Sequence, residues 1–154
     1  VINREFKNFN KIIPLSKGDA RGLNNGLLEY IGPKNPTTIL IAMGSVIGTI
    51  KDTVGASPNI GILKIKCFRP FPADEILKII KPAKNIAVID KSISLGHTGT
   101  LASEIKAMAQ GKTNANIRSF IVGLGGRDVT KEIIKKIIKQ ANKKSDKASF
   151  VGKV

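Results

Sequence analysis

The stretch best suited to binding a ligand or a partner is Gly123-Leu-Gly-Gly-Arg-Asp-Val-Thr130. It lies between an apolar run, residues 117–124, and a strongly periodic helical segment, residues 130–144. Its three glycines are Gly123, Gly125 and Gly126. They allow the backbone to turn sharply and to approach another group closely, which leaves Arg127 at the mouth of the turn. The stretch is therefore a ligand loop, a subunit contact or a tight connection.

The stretch departs from the known phosphate-binding motifs. Asp128 stands where the dinucleotide pattern Gly-x-Gly-x-x-Gly requires its third glycine, and the stretch follows the last predicted strand instead of the first. The chain also contains no Gly-x-x-x-x-Gly-Lys-Ser/Thr sequence. These departures argue against a dinucleotide site. We expect Arg127 to position a neighbouring chain or an anionic ligand and to perform no chemistry.

Residues for covalent or metal chemistry are scarce. The chain has one histidine, His97, and one cysteine, Cys67, so it can form neither a disulfide nor a cysteine-ligated iron–sulfur site within itself. Ser92 and Ser94 stand near His97, but no Gly-x-Ser-x-Gly turn occurs. The few carboxylates are not paired for acid–base work. We predict no catalytic residue and no metal site, and we interpret Cys67 as a buried, inert thiol.

The formal net charge of +15 indicates an anionic partner. Residues 131–154 alone hold eight lysines against Glu132 and Asp146, a net charge of +6 (8 − 2). Nucleic acid would fit such a field, but aromatic residues for base stacking are not interleaved with the lysines, and no helix-turn-helix spacing occurs. We therefore do not predict a nucleic-acid partner. An acidic protein or a phosphorylated small molecule fits the charge equally well.

Composition restricts the class of protein. A chain of 154 residues, 42% of them apolar, can bury a core of its own. Only 5% are aromatic, so Ile, Val, Leu and Ala must fill that core, which suits buried parallel strands. No apolar run has the length of a membrane span, and no signal sequence opens the chain. We expect a cytoplasmic protein with no membrane partner.

Apolar runs alternate with helical patterns along the chain. Strands are predicted at residues 38–43, 60–68, 85–90 and 117–124, and helices follow at 46–54, 72–81, 100–110 and 130–144. Ser45 and either Thr98 or Thr100 are predicted helix N-caps. Four strand–helix units in succession predict an α/β fold, a three-layer open and mainly parallel sheet with helices on both faces. We divide the chain into an N-terminal extension or linker (1–36), this α/β domain (37–144) and a polar tail (145–154).

A parallel sheet brings the four strand-to-helix loops to one edge, where open α/β sheets bind their ligands. Besides the glycine stretch, these loops carry polar residues that could contact a ligand or a subunit. The candidate contact residues are Ser45, Arg69, Thr98, Gly123, Gly125, Gly126 and Arg127.

Several motifs occur in an order known from one family. Ala42-Met-Gly-Ser45 precedes Phe68-Arg-Pro-Phe-Pro72, Ala87-Val-Ile-Asp90 and finally Gly123-Leu-Gly-Gly-Arg-Asp128. In these residues the chain resembles the C-terminal, transketolase-C-like domain of the pyruvate:ferredoxin oxidoreductase (pyruvate synthase) alpha chain. The resemblance covers about residues 27–141. Its most specific part is the pair Phe-Arg-Pro-Phe-Pro and Gly-Leu-Gly-Gly-Arg-Asp at this separation.

The resemblance implies a function within a larger enzyme. The family oxidatively decarboxylates pyruvate with coenzyme A, giving acetyl-CoA, carbon dioxide and reduced ferredoxin, and it uses thiamine diphosphate and iron–sulfur clusters. The thiamine-binding pyrimidine domain of the family is not in this sequence, and Gly18-Asp19-Ala20 is not its Gly-Asp-Gly diphosphate motif. We expect a non-catalytic domain or subunit that binds none of these cofactors alone. Its partners would be other subunits or domains of the oxidoreductase, and the acidic ferredoxin only indirectly.

Two alternatives stay open. One is a free-standing binder of a phosphorylated small molecule such as coenzyme A or a nucleotide, contacted by Ser45, Arg69, Thr98 and Arg127. The other is a nucleic-acid binder, for which retention on DNA or RNA would depend steeply on salt.

Overall fold

The computed structural model describes residues 26–145 and 147–152. The first 25 residues of the predicted N-terminal extension therefore lie outside the described residues, as does Asp146 in the predicted tail. The strands, numbered in chain order, are β1 Leu28–Ile31, β2 Thr38–Met43, β3 Ile60–Ile65, β4 Asn85–Asp90, β5 Asn116–Ile121 and β6 Ser149–Phe150. The helices are α1 Val46–Val54, α2 Ala73–Ile80, α3 Thr100–Ala109 and α4 Lys131–Gln140, and a short 3-10 turn spans Leu124–Gly126.

These strands form one sheet in the order β1-β3-β2-β4-β5-β6. β1 runs antiparallel to β3, and every other neighbouring pair is parallel. The predicted α/β fold with a mainly parallel sheet is confirmed. β3 lies on one side of β2 and β4 on the other, so the strand order reverses between β2 and β4. Open α/β sheets bind their ligands at such a switch point.

Helices cover both faces of the sheet and bury the central strands. α2 and α3 pack on one face through residues such as Ile79 and Leu101. α1 and α4 pack on the other face through residues such as Ile50 and Ile134. Because helices cover both sides, β2 and β4 are continuous apolar runs instead of alternating ones, as is usual for parallel strands.

Three elements end three or four residues earlier than the sequence predicts. β3 ends at Ile65 instead of residue 68, β5 at Ile121 instead of residue 124, and α4 at Gln140 instead of residue 144. Apolar residues continue past these ends because they still pack on the core: Val122 and Ala141 are buried outside any strand or helix. Apolar runs therefore predict burial better than they predict the last hydrogen-bonded residue.

The predicted N-cap of α1 is wrong, whereas α4 has a side-chain N-cap. The Thr130 side-chain oxygen accepts a hydrogen bond from the N–H of Ile133 at 3.4 Å. Ser45 precedes α1, but its backbone is already in the right-handed helical conformation and its side chain makes no capping hydrogen bond. A capping side chain needs an extended backbone to reach the free N–H groups of the first turn.

The sheet extends beyond residues 37–144 at both ends. β1, within the predicted linker, pairs with β3, and β6, within the predicted tail, pairs with β5. Arg118 of β5 holds β6 on the sheet. Its guanidinium donates to the carbonyl of Gln140 at 2.6 Å and to the Ser149 hydroxyl at 2.6 Å. The sequence did not reveal β6 because two residues are too few to show an alternating pattern.

Tyr30 holds β1 on the sheet. Its side chain is fully buried, and its hydroxyl donates to the carbonyl of Pro33 at 2.8 Å. The ring occupies the space above Gly61 of β3, where an added Cβ would overlap with it. Gly48 in α1 differs, because a Cβ added there would meet nothing within 4 Å. Close packing on the sheet is thus the reason for Gly61 and not for Gly48.

We predict opposite effects of alanine at these two glycines. Gly61→Ala should lower the free energy of unfolding by about 1–3 kcal/mol, because the new methyl group overpacks against Tyr30. The matched control Gly48→Ala should raise it by about 0.4–1 kcal/mol, because alanine restricts the unfolded chain and fits the helix. Urea unfolding followed by circular dichroism measures both. Equal stability of Gly61→Ala and wild type would contradict the packing of Tyr30 on Gly61.

Candidate functional site

Two clefts open along the C-terminal edge of the parallel strands. The first, the switch-point cleft, lies at the ends of β2 and β4 and the start of α3; it has a volume of about 470 Å³ and is walled by Ser45, Phe68 and Asp90 among others. The second, the glycine-loop cleft, lies beyond the end of β5; it has a volume of about 660 Å³ and is bounded by the glycine stretch and by Phe150. The predicted contact residues do not converge on a single cleft.

A carboxylate of the protein itself occupies the start of α3 in the switch-point cleft. Asp90, the last residue of β4, accepts hydrogen bonds from the N–H groups of Leu101 at 3.0 Å and Ala102 at 3.1 Å. A free helix N-terminus attracts anions. Because Asp90 already fills this position, α3 offers no site for a phosphate group there. The predicted cap by Thr98 or Thr100 is wrong, since Gly99 holds the N-cap position and makes no side-chain cap.

Asp90 is tightly enclosed. Only 6% of its surface is exposed, and a Cβ added at Gly99 would overlap with its carboxylate. Burial raises the pKa of Asp90 above the ordinary value for an aspartate, while the two backbone hydrogen bonds oppose that shift. The group therefore acts as a structural clamp between β4 and α3.

Thr98 lies in the interior and lines neither cleft. Its hydroxyl donates to the Ser119 hydroxyl at 2.7 Å, which ties the loop between β4 and α3 to β5. The hydroxyl predicted to contact a ligand thus has a partner within the chain.

Arg69 lies on the surface beside α3. Its guanidinium forms an ion pair with Glu104 at 2.7 Å and donates to the carbonyl of Phe68 at 2.9 Å. The guanidinium carbon also lies 4.2 Å from the centre of the Phe68 ring, a cation–π contact. These contacts hold Arg69 over the outer side of Phe68, while Phe68 itself forms part of the cleft wall.

The glycine-loop cleft has the backbone geometry of an anion nest. Gly123 and Gly125 are left-handed, with φ of 61° and 67°, and Leu124 between them has a negative φ. Such alternation turns successive N–H groups toward one side and creates a concavity suited to an anion. Only glycine adopts these angles without strain. Gly126 also has a positive φ, 79°, but it is not part of the cleft wall.

Charged residues of both signs surround this cleft. Arg127 and Asp128 are exposed in its wall, as predicted for Arg127 at the mouth of the turn. Lys91 reaches across from the end of β4: a Cβ added at Gly123 would lie 3.1 Å from the Cε atom of Lys91. Lys91 also lines the switch-point cleft, so its side chain reaches from that cleft to the glycine stretch.

The remaining polar residues show no catalytic arrangement. The His97 Nδ1 lies 3.2 Å from the Ser103 hydroxyl on the surface, and Asp90 faces the start of α3 instead of this imidazole. Cys67 is half-buried, not fully buried as predicted, and its thiol donates to the carbonyl of Arg69 at 2.9 Å. Among residues 26–145 and 147–152, no three His, Cys, Asp or Glu side chains are grouped to hold a metal ion. No helix in the described part of the chain has the length and apolarity needed to cross a membrane.

Sequence reasoning missed two residues of this edge. The sequence places Asp90 only at the end of a strand. An acidic residue that ends a buried strand and precedes a helix is nevertheless a signal that its side chain caps that helix. The sequence marks Phe150, with Val151, as an apolar anchor in the polar tail but does not place it beside the glycine stretch, against which it lies with 55% of its surface exposed. An aromatic residue in an otherwise polar tail was the available signal for a return to the sheet.

Comparison with known proteins extends these observations. The family described as pyruvate:ferredoxin oxidoreductase core domain II matches residues 37–134. Pyruvate synthase subunit PorA of Methanocaldococcus jannaschii is 41% identical over 133 residues, which are 83% of this chain and 31% of that protein. Ketoisovalerate oxidoreductase subunit VorA of Pyrococcus furiosus is 39% identical over 97 residues, 60% of this chain and 25% of that protein.

A solved structure shows a similar fold. The 2-oxoglutarate:ferredoxin oxidoreductase from Magnetococcus marinus, with 2-oxoglutarate, coenzyme A and succinyl-CoA bound, superposes with a TM-score of 0.52 at 16% identity. The match covers 86% of this chain and 21% of that chain. The present chain thus spans less than a third of the length of the relatives that it matches.

We predict that Asp90→Asn destabilises the protein in a pH-dependent way. The amide nitrogen of asparagine cannot accept a hydrogen bond, so one N–H at the start of α3 loses its partner, at a cost of about 1–3 kcal/mol. Because the pKa of Asp90 is raised in the folded state, the folded protein holds its proton more tightly than the unfolded chain does. The contribution of Asp90 is then greatest below the unfolded pKa and is lost as pH rises through the folded pKa.

Urea unfolding of wild type and Asp90→Asn at pH 4 and pH 7 measures this effect. The difference in unfolding free energy between the two proteins should be larger at pH 4. A difference that is larger at pH 7 would mean that the two backbone hydrogen bonds lower the pKa of Asp90 more than burial raises it. Gly99→Ala should be destabilised at both pH values, because its methyl group displaces the carboxylate.

Proposed function

The chain belongs to the pyruvate:ferredoxin oxidoreductase core domain II family, and from that membership we propose that it is a non-catalytic domain or subunit of a 2-oxoacid:ferredoxin oxidoreductase. Pyruvate is the proposed substrate of the complete complex, with acetyl-CoA, carbon dioxide and reduced ferredoxin as products. The observation that carries this proposal is the 41% identity to a pyruvate synthase subunit over 133 residues. The match to the ketoisovalerate subunit covers less of this chain, 60% against 83%.

The residues of this chain support a non-catalytic function. A single cysteine cannot ligate an iron–sulfur cluster, which needs several thiolates. The most enclosed carboxylate of the sheet edge, Asp90, is engaged by two backbone N–H groups and is not available as an acid or base. Thiamine diphosphate and the clusters would therefore be bound by other domains or subunits of the complex, and this chain would contribute to their assembly.

The C-terminal edge of the sheet is the proposed contact with the rest of the complex. It carries Ser45, the loop between β4 and α3, and the glycine stretch. In that loop Leu95 is fully exposed. Covering an exposed apolar side chain with a neighbouring subunit lowers the free energy, because apolar surface is removed from water. Arg127 and Lys91 add positive charge at the same edge.

Reconstitution tests this function. We expect the isolated chain to show no pyruvate-dependent reduction of ferredoxin, and we expect it to co-elute with the other oxidoreductase subunits of the same organism in size-exclusion chromatography. A complex assembled without this chain should lose activity, which adding the chain restores. If the chain stays a separate monomer in that mixture, the proposal is wrong.

A second function, binding of a phosphorylated small molecule, is favoured by the geometry of the glycine-loop cleft. The nest at Gly123 and Gly125, the adjacent Arg127 and the half-exposed ring of Phe150 could hold a phosphate group and a flat base together. Coenzyme A and nucleotides have both parts. Of the contacts expected from the sequence, Arg127 remains in this cleft, while Ser45 lies in the other one.

For this second function, we predict that Gly125→Ala weakens binding of ADP or coenzyme A. The alanine disfavours the left-handed backbone and so removes the nest, and isothermal titration calorimetry should show a loss of about tenfold or more. Gly111→Ala is the matched control, since Gly111 has nearly the same φ, 69° against 67°, open space around it and no part in the cleft. Equal affinity in both variants would exclude the nest as the site, and no binding by wild type would exclude the function.

A further inference from the structure

The outer face of α4 and the segment after it carry an unbalanced positive charge. The exposed lysines of this face are Lys131, Lys135, Lys136, Lys139, Lys143, Lys144 and Lys147. Within the described residues 128–145 and 147, only Asp128 and Glu132 carry negative charge, so the net charge of this surface is +5 (7 − 2). We call this set of residues the lysine face.

Little of this charge is neutralised within the described part of the chain. The one ion pair that the lysine face makes there joins Lys131 to Asp52 of α1 at 3.9 Å, and both side chains are more than half exposed. Such exposed pairs contribute little in water. The pKa of Glu132 is lowered by hydrogen bonds from its own N–H and from Thr130 first, and by the charges of Lys135 and Lys131 to a smaller extent.

The spacing of the lysines works against the helix that carries them. Lys131, Lys135 and Lys139 follow each other at intervals of four residues, which places three like charges in a row on one side of α4. Like charges at this spacing destabilise a helix, and a cation in the first turn also opposes the helix dipole. The buried apolar side of α4 offsets this cost. Carboxylates of a partner protein placed beside these lysines would remove the repulsion between them.

We propose that the lysine face docks against an acidic protein surface of another oxidoreductase subunit. The partner is a protein and not a nucleic acid for two reasons. α4 contains no arginine, whose planar guanidinium suits phosphate best, and it contains no aromatic residue to stack on a base. The choice of partner rests on the proposed function. The lysines themselves lie on the outer side of α4 and on the segment after it, and none of them lines either cleft.

Two charge-reversal variants of α4 distinguish a loss of subunit binding from a loss of stability. Lys135→Glu turns two like-charge neighbours, Lys131 and Lys139, into opposite-charge pairs, and it loses one attraction, to Glu132, so the isolated chain should unfold at a temperature about 1–2 °C higher. Lys136→Glu places a like charge four residues after Glu132 but turns the like-charge pair with Lys139 into an opposite-charge pair, so that temperature should stay within about 1 °C of wild type. Both variants should bind the other subunits about three- to tenfold more weakly, because each replaces an attraction to the acidic partner with a repulsion.

Lys78→Glu is the matched control on the opposite side of the sheet. It reverses the charge of an exposed lysine on α2, and binding should stay at the wild-type level. Affinity for the other oxidoreductase subunits is measured by biolayer interferometry at low and high salt, with thermal unfolding of each isolated chain recorded in parallel. Wild-type binding should weaken as salt rises, and the two α4 variants should show a smaller dependence on salt.

The outcomes distinguish this inference from the proposed function. Wild type that fails to bind any subunit contradicts both. Wild type that binds, with Lys135→Glu and Lys136→Glu binding equally well, overturns only the docking face and leaves the proposed function intact. Steep salt-dependent retention of wild type on double-stranded DNA, lost in both variants while subunit binding is unchanged, overturns the proposal in favour of nucleic acid.

Discussion

The hydrogen bonds from the start of α3 to the Asp90 carboxylate hold the C-terminal edge of the parallel strands together. They join the last residue of a central strand to the helix that covers one face of the sheet. The N–H of Val122 also donates to the carbonyl of Asp90 at 2.9 Å, so the same residue connects β4 to the chain leaving β5. Gly99 lies directly beside this carboxylate, where a Cβ would overlap with it, so the end of the loop between β4 and α3 has to be a glycine. The positions of both clefts depend on this residue.

That arrangement explains why the edge suits contact better than catalysis. The anion position that a parallel sheet usually offers at a helix start is filled from within by Asp90. Thr98 and Arg69, which also lie at this edge, are engaged with Ser119 and Glu104. The glycine stretch and Lys91 lie at the open part of the edge. The chain belongs to the core domain II family and matches less than a third of the PorA subunit of Methanocaldococcus jannaschii.

The sequence predicted the fold well because the fold depends on apolar periodicity. Continuous apolar runs such as residues 38–43 and the one-sided pattern of α4 identify their elements without any tertiary information. The two-residue strand β6 was not predicted, because a strand this short gains its order from the neighbour that it pairs with. The site was harder to predict. Whether Thr98 faces a ligand or Ser119, and whether α3 is capped by Thr100 or by Asp90, depends on which residues the folded sheet brings together.

Hydrogen exchange of this chain, alone and within the assembled oxidoreductase, tests the central claim most directly. The account predicts slower exchange in the complex for residues 91–99 and 123–130, which form the loops at the C-terminal edge of the strands. Residues 81–84 and 111–115, in the connections at the opposite edge, should exchange at the same rate in both states. Protection confined to that opposite edge, or no change anywhere, would contradict the assignment of the C-terminal edge as the surface that joins this domain to its complex.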